Sequence, residues 1–222
     1  MTLPHPVRVA IDGIDAAGKT RLADELMVPL QECGRAVIRA SIDDFQHPRA
    51  ERYRHGASSA LGYYEDAFDY AQVRTALLVP LGPQGNRRYH RAVFDYRTDL
   101  PLAIPEEEAP PNAILLCDGV FLLRPELAAQ WDYRIFVDVD FAEGLRRALQ
   151  RDVQSPEQEA AMRQSYQQRY YPAQQHYLQL AHPQEQADVV FRNQDVAHPE
   201  LHPRANSSDR SPEGFAFPSR EV

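Results

Sequence analysis

Three observations predict an α/β protein with a mainly parallel sheet. Short apolar runs alternate with amphipathic stretches along most of the 222 residues, the pattern of strands joined by helical crossovers. The strand-like runs are apolar almost throughout, as expected where helices cover both sheet faces. A glycine-containing turn also separates the first such run from the first helical pattern.

Val7 to Ile11 reads as the first strand, apolar at positions 7, 9, 10 and 11. After the turn, Leu22, Leu26 and Leu30 recur every four residues, with Asp24, Glu25 and Gln31 elsewhere on the wheel, giving an amphipathic helix. Pro29 is expected to kink or fray its last turns. Ala36 to Ile42, Ala113 to Cys117, Tyr133 to Val139 and Ala187 to Phe191 supply four more strands, for a five-stranded sheet. Helical patterns fall near 69–79, 141–153 and 157–180.

Arg87 to Tyr96 is expected to add a strand or hairpin over the site, and the proline-rich, acidic stretch Pro105 to Pro111 reads as a solvated loop. From Pro203 onward the composition is that of a disordered tail. The predicted organisation is one domain over 1–202, with a lid region at about 147–170, followed by a tail over 203–222.

Twenty-four basic against 32 acidic residues give a net charge of -8, which argues against nonspecific nucleic-acid or membrane-surface binding. No apolar run approaches a membrane span and the N-terminus lacks a signal-peptide pattern, so no membrane association is expected. Cys33 and Cys117 alone make no disulfide framework, and a reducing cytoplasm is the expected location.

All but one of the basic residues are arginine, and the exception is Lys19. Lysine suits a narrow oxygen-lined pocket that the wider guanidinium cannot enter. Lys19 stands in Gly13-Ile14-Asp15-Ala16-Ala17-Gly18-Lys19-Thr20, a full match to G-x-x-x-x-G-K-[ST] with a strand before it and a helix after it. Inward-turned amides and a helix N-terminus at such a loop hold phosphate oxygens. The fold class is therefore a P-loop NTPase three-layer sandwich. Gly13, Asp15, Ala16, Ala17, Gly18, Lys19, Thr20 and Arg21 are the candidate ATP-binding residues, with the Thr20 hydroxyl on Mg²⁺.

Strand ends in a parallel sheet carry its chemistry. The second strand closes on Asp43-Asp44-Phe45, where one carboxylate can face the phosphates as base or metal partner. The residues alone do not choose between Asp43 and Asp44. Leu115-Leu116-Cys117-Asp118 is an apolar strand ending in a carboxylate placed to hold Mg²⁺ beside Thr20. Arg146, Arg147 and Arg151 share a helix, where they close over phosphates or form a solvated face with Glu143 and Asp152. Tyr63-Tyr64-Glu65-Asp66-Ala67-Phe68-Asp69, with Arg52, Arg54, Phe94, Asp95, Tyr96 and Arg97, mixes aromatics with hydrogen-bonding groups as a planar or sugar-bearing small molecule needs. His198 and His202 read as surface residues rather than a metal site, because Pro199 and Pro203 break the helix their spacing would need.

A GTPase needs an N-K-x-D guanine motif, which a chain with one lysine cannot carry outside its phosphate loop. A transporter-type ATPase needs L-S-G-G-Q, which does not occur. A nucleotide-binding regulator without acceptor chemistry stays open.

From about Val7 to Asp195 the ordered set GIDAAGKT (13–20), D-x-F (43–45), DAFD (66–69), FDY (94–96), CDG (117–119), FVDVD (136–140) and RALQRD (147–152) resembles the uridine kinase-like P-loop kinases, near pantothenate kinase and phosphoribulokinase. The resemblance implies ATP and Mg²⁺ as cofactors, and Asp43 as the catalytic base beside Lys19. It places Arg147 and Arg151 in the lid, and Asn193 and Asp195 in the loop beside adenine. Phe45, Tyr64, Asp66, Phe68, Phe94 and Tyr96 would flank a small-molecule, nucleoside-like acceptor such as uridine or cytidine, with pantothenate, nicotinamide riboside or a sugar phosphate as alternatives. Three departures stand out: Gln46 where tyrosine usually follows D-x-F, Asp118 where glutamate is usual, and Asp152-Val-Gln-Ser-Pro156 in place of the Gly-Arg lid element. Monomer and homo-oligomer both remain open.

Overall fold

Every residue of two neighbouring strands is buried, and this pair fixes the centre of the molecule. The computed structural model describes residues 3–204. Its strands are β1 (Val7–Gly13), β2 (Val37–Ser41), β3 (Ile114–Gly119), β4 (Tyr133–Asp138), β5 (Val189–Arg192) and β6 (Glu200–Pro203), in the spatial order β6-β5-β4-β1-β3-β2. The first five run parallel, and β6 pairs antiparallel with β5.

Alternate residues of the central strands enter opposite apolar layers. Leu115 and Cys117 face a layer with Phe45, Phe68, Phe121 and Trp131, whereas Ile114 and Leu116 face Val9, Ile11 and Val137. Arg8, the one basic residue of β1, is buried without an unpaired charge. Its Nε and NH2 each donate to Asp132 at 3.0 Å, and its NH1 donates to the Leu78 carbonyl.

The helices that bear on the site are α1 (Lys19–Glu32), α2 (Ala60–Asp66), α3 (Phe141–Asp152), α4 (Pro156–Ser165) and α5 (Tyr171–Ala181). A π-helical turn, Tyr166–Tyr170, joins α4 to α5. Asp140 and Ser155 cap α3 and α4 through their side chains, which satisfies amides the helices leave open.

Four expectations change. The sheet has a sixth strand, because Glu200–Pro203 folds back along β5, overlapping the expected tail only at Pro203; residues 205–222, where the rest of that tail falls, lie outside the described residues. α1 continues through Pro29 to Glu32. Arg87 to Tyr96 splits between two small antiparallel ladders, Arg88–Tyr89 with Glu107–Glu108 and Phe94–Asp95 with Leu100–Pro101. The acidic stretch is therefore a paired edge: Arg88, Arg91 and Arg87 form ion pairs with Glu106, Glu107 and Glu108.

Candidate active site

Register brings the chemistry to one sheet edge. β1 pairs Gly13 with Val137 of β4, and β2 pairs Ser41 with Asp118 of β3, so the carboxyl ends of four strands open on one crevice. Gly13 has φ +152°, and a Cβ there would lie 2.5 Å from the Val137 carbonyl oxygen. Gly18 has φ +100°, and a Cβ there would lie 2.7 Å from Asn193 Nδ2. Both positions therefore need glycine. Between them the loop turns over Ala16 (φ +60°) into the first turn of α1.

Lys19 is buried and donates to the Ile14 carbonyl at 2.7 Å, so its stem folds back along the loop. The Thr20 hydroxyl donates to Asp118 Oδ2 at 2.5 Å, and Arg39 donates to Asp118 Oδ1 at 3.0 Å. Arg39 also pairs with Asp24. Sequence reading missed Arg39, whose only signal is a charged position in an otherwise uncharged strand.

Among the described residues no three His, Cys, Asp or Glu side chains gather as a metal site. The oxygen pair Thr20 and Asp118 nevertheless fits Mg²⁺, which keeps several waters and takes further ligands from phosphates.

A cavity of about 850 Å³ lies over the phosphate loop. Asp15, Ala16, Gly18, Lys19, Thr20 and Arg21 line it from the loop and α1. Asp43, Asp118, Arg147 and Arg151 complete its walls. A second cavity of about 590 Å³ adjoins it. The two share Asp15, Asp43, Arg151 and Tyr166.

Asp43 sits in the 3-10 turn Ile42–Phe45 that follows β2. Its side chain is solvent-accessible where the two cavities meet, with protein groups crowded around its carboxyl. Desolvation by those groups, then the charges of Asp15 and Asp118, push its carboxyl up to about 6 against the pull of Lys19. Asp44 lines neither cavity. Gln46 donates to Asp43 Oδ1 at 3.3 Å and accepts from Arg52 at 2.5 Å, and Arg52 also pairs with Asp99.

Of the residues expected around an acceptor, Arg52, Phe68 and Tyr96 line the second cavity. The others do not. Phe45 and Tyr64 are buried in the core, Tyr64 beneath the Arg124 guanidinium at 4.4 Å. Phe94 is buried in its small ladder, and Asp95 caps a turn by accepting from the Arg97 amide and the Thr98 hydroxyl. Asp66 is buried and held by Arg54. Tyr63, the first residue of that aromatic stretch and one helical step from Tyr64, lines the cavity. Tyr166, Arg169 and Tyr170 enter it from the π turn, which falls in the stretch expected as helix and as the end of the lid region.

Arg147 braces the loop. It donates to the carbonyls of Ala17 (3.3 Å) and Asn193 (2.6 Å) and pairs with Glu143 at 2.7 Å. Arg151 pairs with Asp152 and faces both cavities, whereas Arg146 pairs with Glu143 outside them. Asn193 donates to the Ala17 carbonyl at 2.8 Å and, with Gly18, Leu22 and Val196, lines a small hollow beside α1. Asp195 points away, paired with His198 at 2.9 Å, and His202 pairs with Glu200.

A phosphate loop opening beside a second cavity at the ends of a parallel sheet is an arrangement this chain shares with the fold of P-loop kinases. The solved structures agree: one described as a possible uridine kinase from Bacillus stearothermophilus superposes with a TM-score of 0.65 at 24% identity, covering 86% of this chain and 90% of that one. Phosphoribulokinase from Rhodobacter spheroides gives a TM-score of 0.58 at 13% identity, covering 85% and 70%. In sequence, the chain is similar to uridine-cytidine kinase B of Dictyostelium discoideum, 27% identical over 149 residues, or 67% of this chain. It spans 59% of that relative's length. No family model matches the chain. The resemblance to the uridine kinase-like P-loop kinases thus extends from the motifs to the fold and to a sequence relative.

Proposed function

We propose that the protein is an ATP-dependent kinase that transfers the γ-phosphoryl group to a hydroxyl of a nucleoside-like small molecule. One observation carries this reading: a phosphate-loop cavity and a second, aromatic-lined chamber meet at a wall holding Asp43. A hydrolase or a pure nucleotide binder needs only the first cavity; transfer to an acceptor needs both and a base where they meet.

The chain's own residues divide the work. Backbone amides of the loop and the N-terminus of α1 bind phosphate oxygens, and Lys19 swings from the Ile14 carbonyl onto them. Mg²⁺ beside Thr20 and Asp118 supplies neutralisation of phosphate charge. Arg151 faces the same space and offers donors to the oxygens that gain charge during transfer. Asp43 orients the acceptor hydroxyl and takes its proton, with Gln46 fixing the carboxyl. Tyr63, Tyr96 and Tyr170 give the second chamber flat apolar faces suited to a ring. The uridine-cytidine kinase relative supports a pyrimidine nucleoside as the first acceptor to assay.

Two variants test the reading in an ADP-release assay over uridine, cytidine, nicotinamide riboside, pantothenate and ribulose 5-phosphate. Lys19→Ala is expected to lower turnover at least 100- to 1,000-fold. Asp43→Asn is expected to lower transfer roughly 100- to 10,000-fold while ATP binding survives. Acceptor phosphorylation at the wild-type rate in either variant would refute the assignment; no acceptor-dependent ADP release from the wild type would mark a nucleotide binder instead.

A further inference from the structure

The phosphate loop carries an acid that phosphate binding does not explain. Asp15 lies between Gly13 and Gly18, where a carboxylate beside a triphosphate is repelled unless it faces elsewhere. It is shared with the second cavity, which it lines as well as the first, and the charges of Lys19 and Arg151 act on it. Its orientation is fixed from outside the loop: Gln174 of α5, almost fully buried, donates from Nε2 to Asp15 Oδ2 at 2.5 Å and accepts from the Asp15 amide at 3.2 Å. That grip on both ends of the residue leaves the carboxyl little freedom to turn toward a nucleotide. Tyr63 and Tyr170, both lining the second cavity, stand near enough to feel its charge.

Three aspartates line the second chamber, and Asp152 is taken by Arg151, which leaves Asp15 and Asp43 as the two carboxylates offered to an occupant. A single accepting hydroxyl needs one base. A second carboxylate there has one evident use, accepting a hydrogen bond from another hydroxyl of the same molecule. We infer that Asp15 is an acceptor-side specificity residue which binds a second hydroxyl next to the one phosphorylated, so that the acceptor is a polyhydroxylated molecule such as a ribosyl or other sugar-like group. This rests on the kinase reading and adds to it the acceptor's hydroxyl pattern. Such recognition is discriminating, because an analogue lacking the hydroxyl leaves a partly buried carboxylate without its donor.

The test compares wild type, Asp15→Asn and Asp15→Ala on uridine, ribulose 5-phosphate and pantothenate, each against an analogue lacking the hydroxyl nearest the accepting one. For uridine these are 2′-deoxyuridine and 3′-deoxyuridine. The wild type is expected to prefer the fully hydroxylated acceptor at least tenfold in kcat/KM. Asp15→Ala is expected to erase that preference, with the loss falling on acceptor KM, while ATP KM and the Mg²⁺ requirement stay within about threefold. Gln174→Ala, which frees the carboxyl without removing it, is expected to weaken the preference in the same direction. Persistence of the preference in Asp15→Ala overturns the inference and leaves the kinase reading intact. A loss that appears in ATP KM or as a raised Mg²⁺ requirement overturns it equally, by returning Asp15 to the nucleotide. Absence of ADP release with every acceptor overturns the kinase reading, and this inference with it.

Discussion

In the proposed transfer Asp43 is the base, and its environment sets the pH at which it can work. Desolvation by the surrounding protein and the negative charges of Asp15 and Asp118 raise its carboxyl to about 6, so the deprotonated form needed by a base fills in only above that pH. The acid limb of kcat/KM is therefore expected to rise through about pH 6 and level off toward pH 8. Asp15→Asn removes one of the two charges that raise Asp43, so the limb is expected to move to lower pH in that variant. A limb that stays in place in Asp15→Asn, or that matches a free carboxylate in the wild type, would show that Asp43 does not govern the rate. At this scale the sequence was only half legible. Position after a strand and before Phe45 marked the pair Asp43 and Asp44, yet the choice between them depends on a 3-10 turn rather than a strand end. Tyr63 and Tyr64 show the same limit: neighbours on a helix point about 100° apart, and nothing local says which one meets the core.

Elements were read more surely than side chains, because buried parallel strands need continuous apolar runs and leave a clear trace. All five predicted strands are present in parallel, and their register delivers Gly13, Ser41 and Asp118 to one edge. β6 escaped because an exposed edge strand containing Pro203 carries no apolar alternation. The chamber lining from Tyr166 to Tyr170 escaped for another reason: a π turn shifts which residues face inward, and helical periodicity alone cannot register it. The junction of β1 with the loop depends on the closest approach in the element, Gly13 against the Val137 carbonyl. Gly13→Ala is expected to cost at least about 1–3 kcal/mol from backbone conformation alone, read as a lowered urea midpoint with unchanged slope. An unchanged midpoint would mean that β4 yields to the added methyl group.

Across the whole molecule, one buried acid ties the layers together. Asp12 is fully buried at the end of β1. Its Oδ1 accepts from the Gly13 amide at 2.7 Å, and its Oδ2 accepts from the Leu123 amide at 3.3 Å and from the Tyr177 hydroxyl of α5. The phosphate loop, the segment after β3 and the helix that carries Gln174 thus share one carboxyl. Burial raises that carboxyl from 3.8 to about 6, with Tyr177, the two amides and Lys19 pulling the other way. A folded pKa above the unfolded one means that the native state holds the proton more tightly. The group's contribution to stability is then complete below about pH 4, falls as pH rises toward 6, and is gone above it. Asp12→Asn keeps the shape and removes the titration. Relative to the variant, the wild type is therefore expected to lose on the order of 3 kcal/mol of stability between pH 4 and pH 7.5, two pKa units at about 1.4 kcal/mol each. Urea denaturation of both proteins across that range measures the difference directly. A constant offset between them at every pH would mean that Asp12 ionises as freely in the folded chain as in the unfolded one, and that the three hydrogen bonds fully replace the water it gives up.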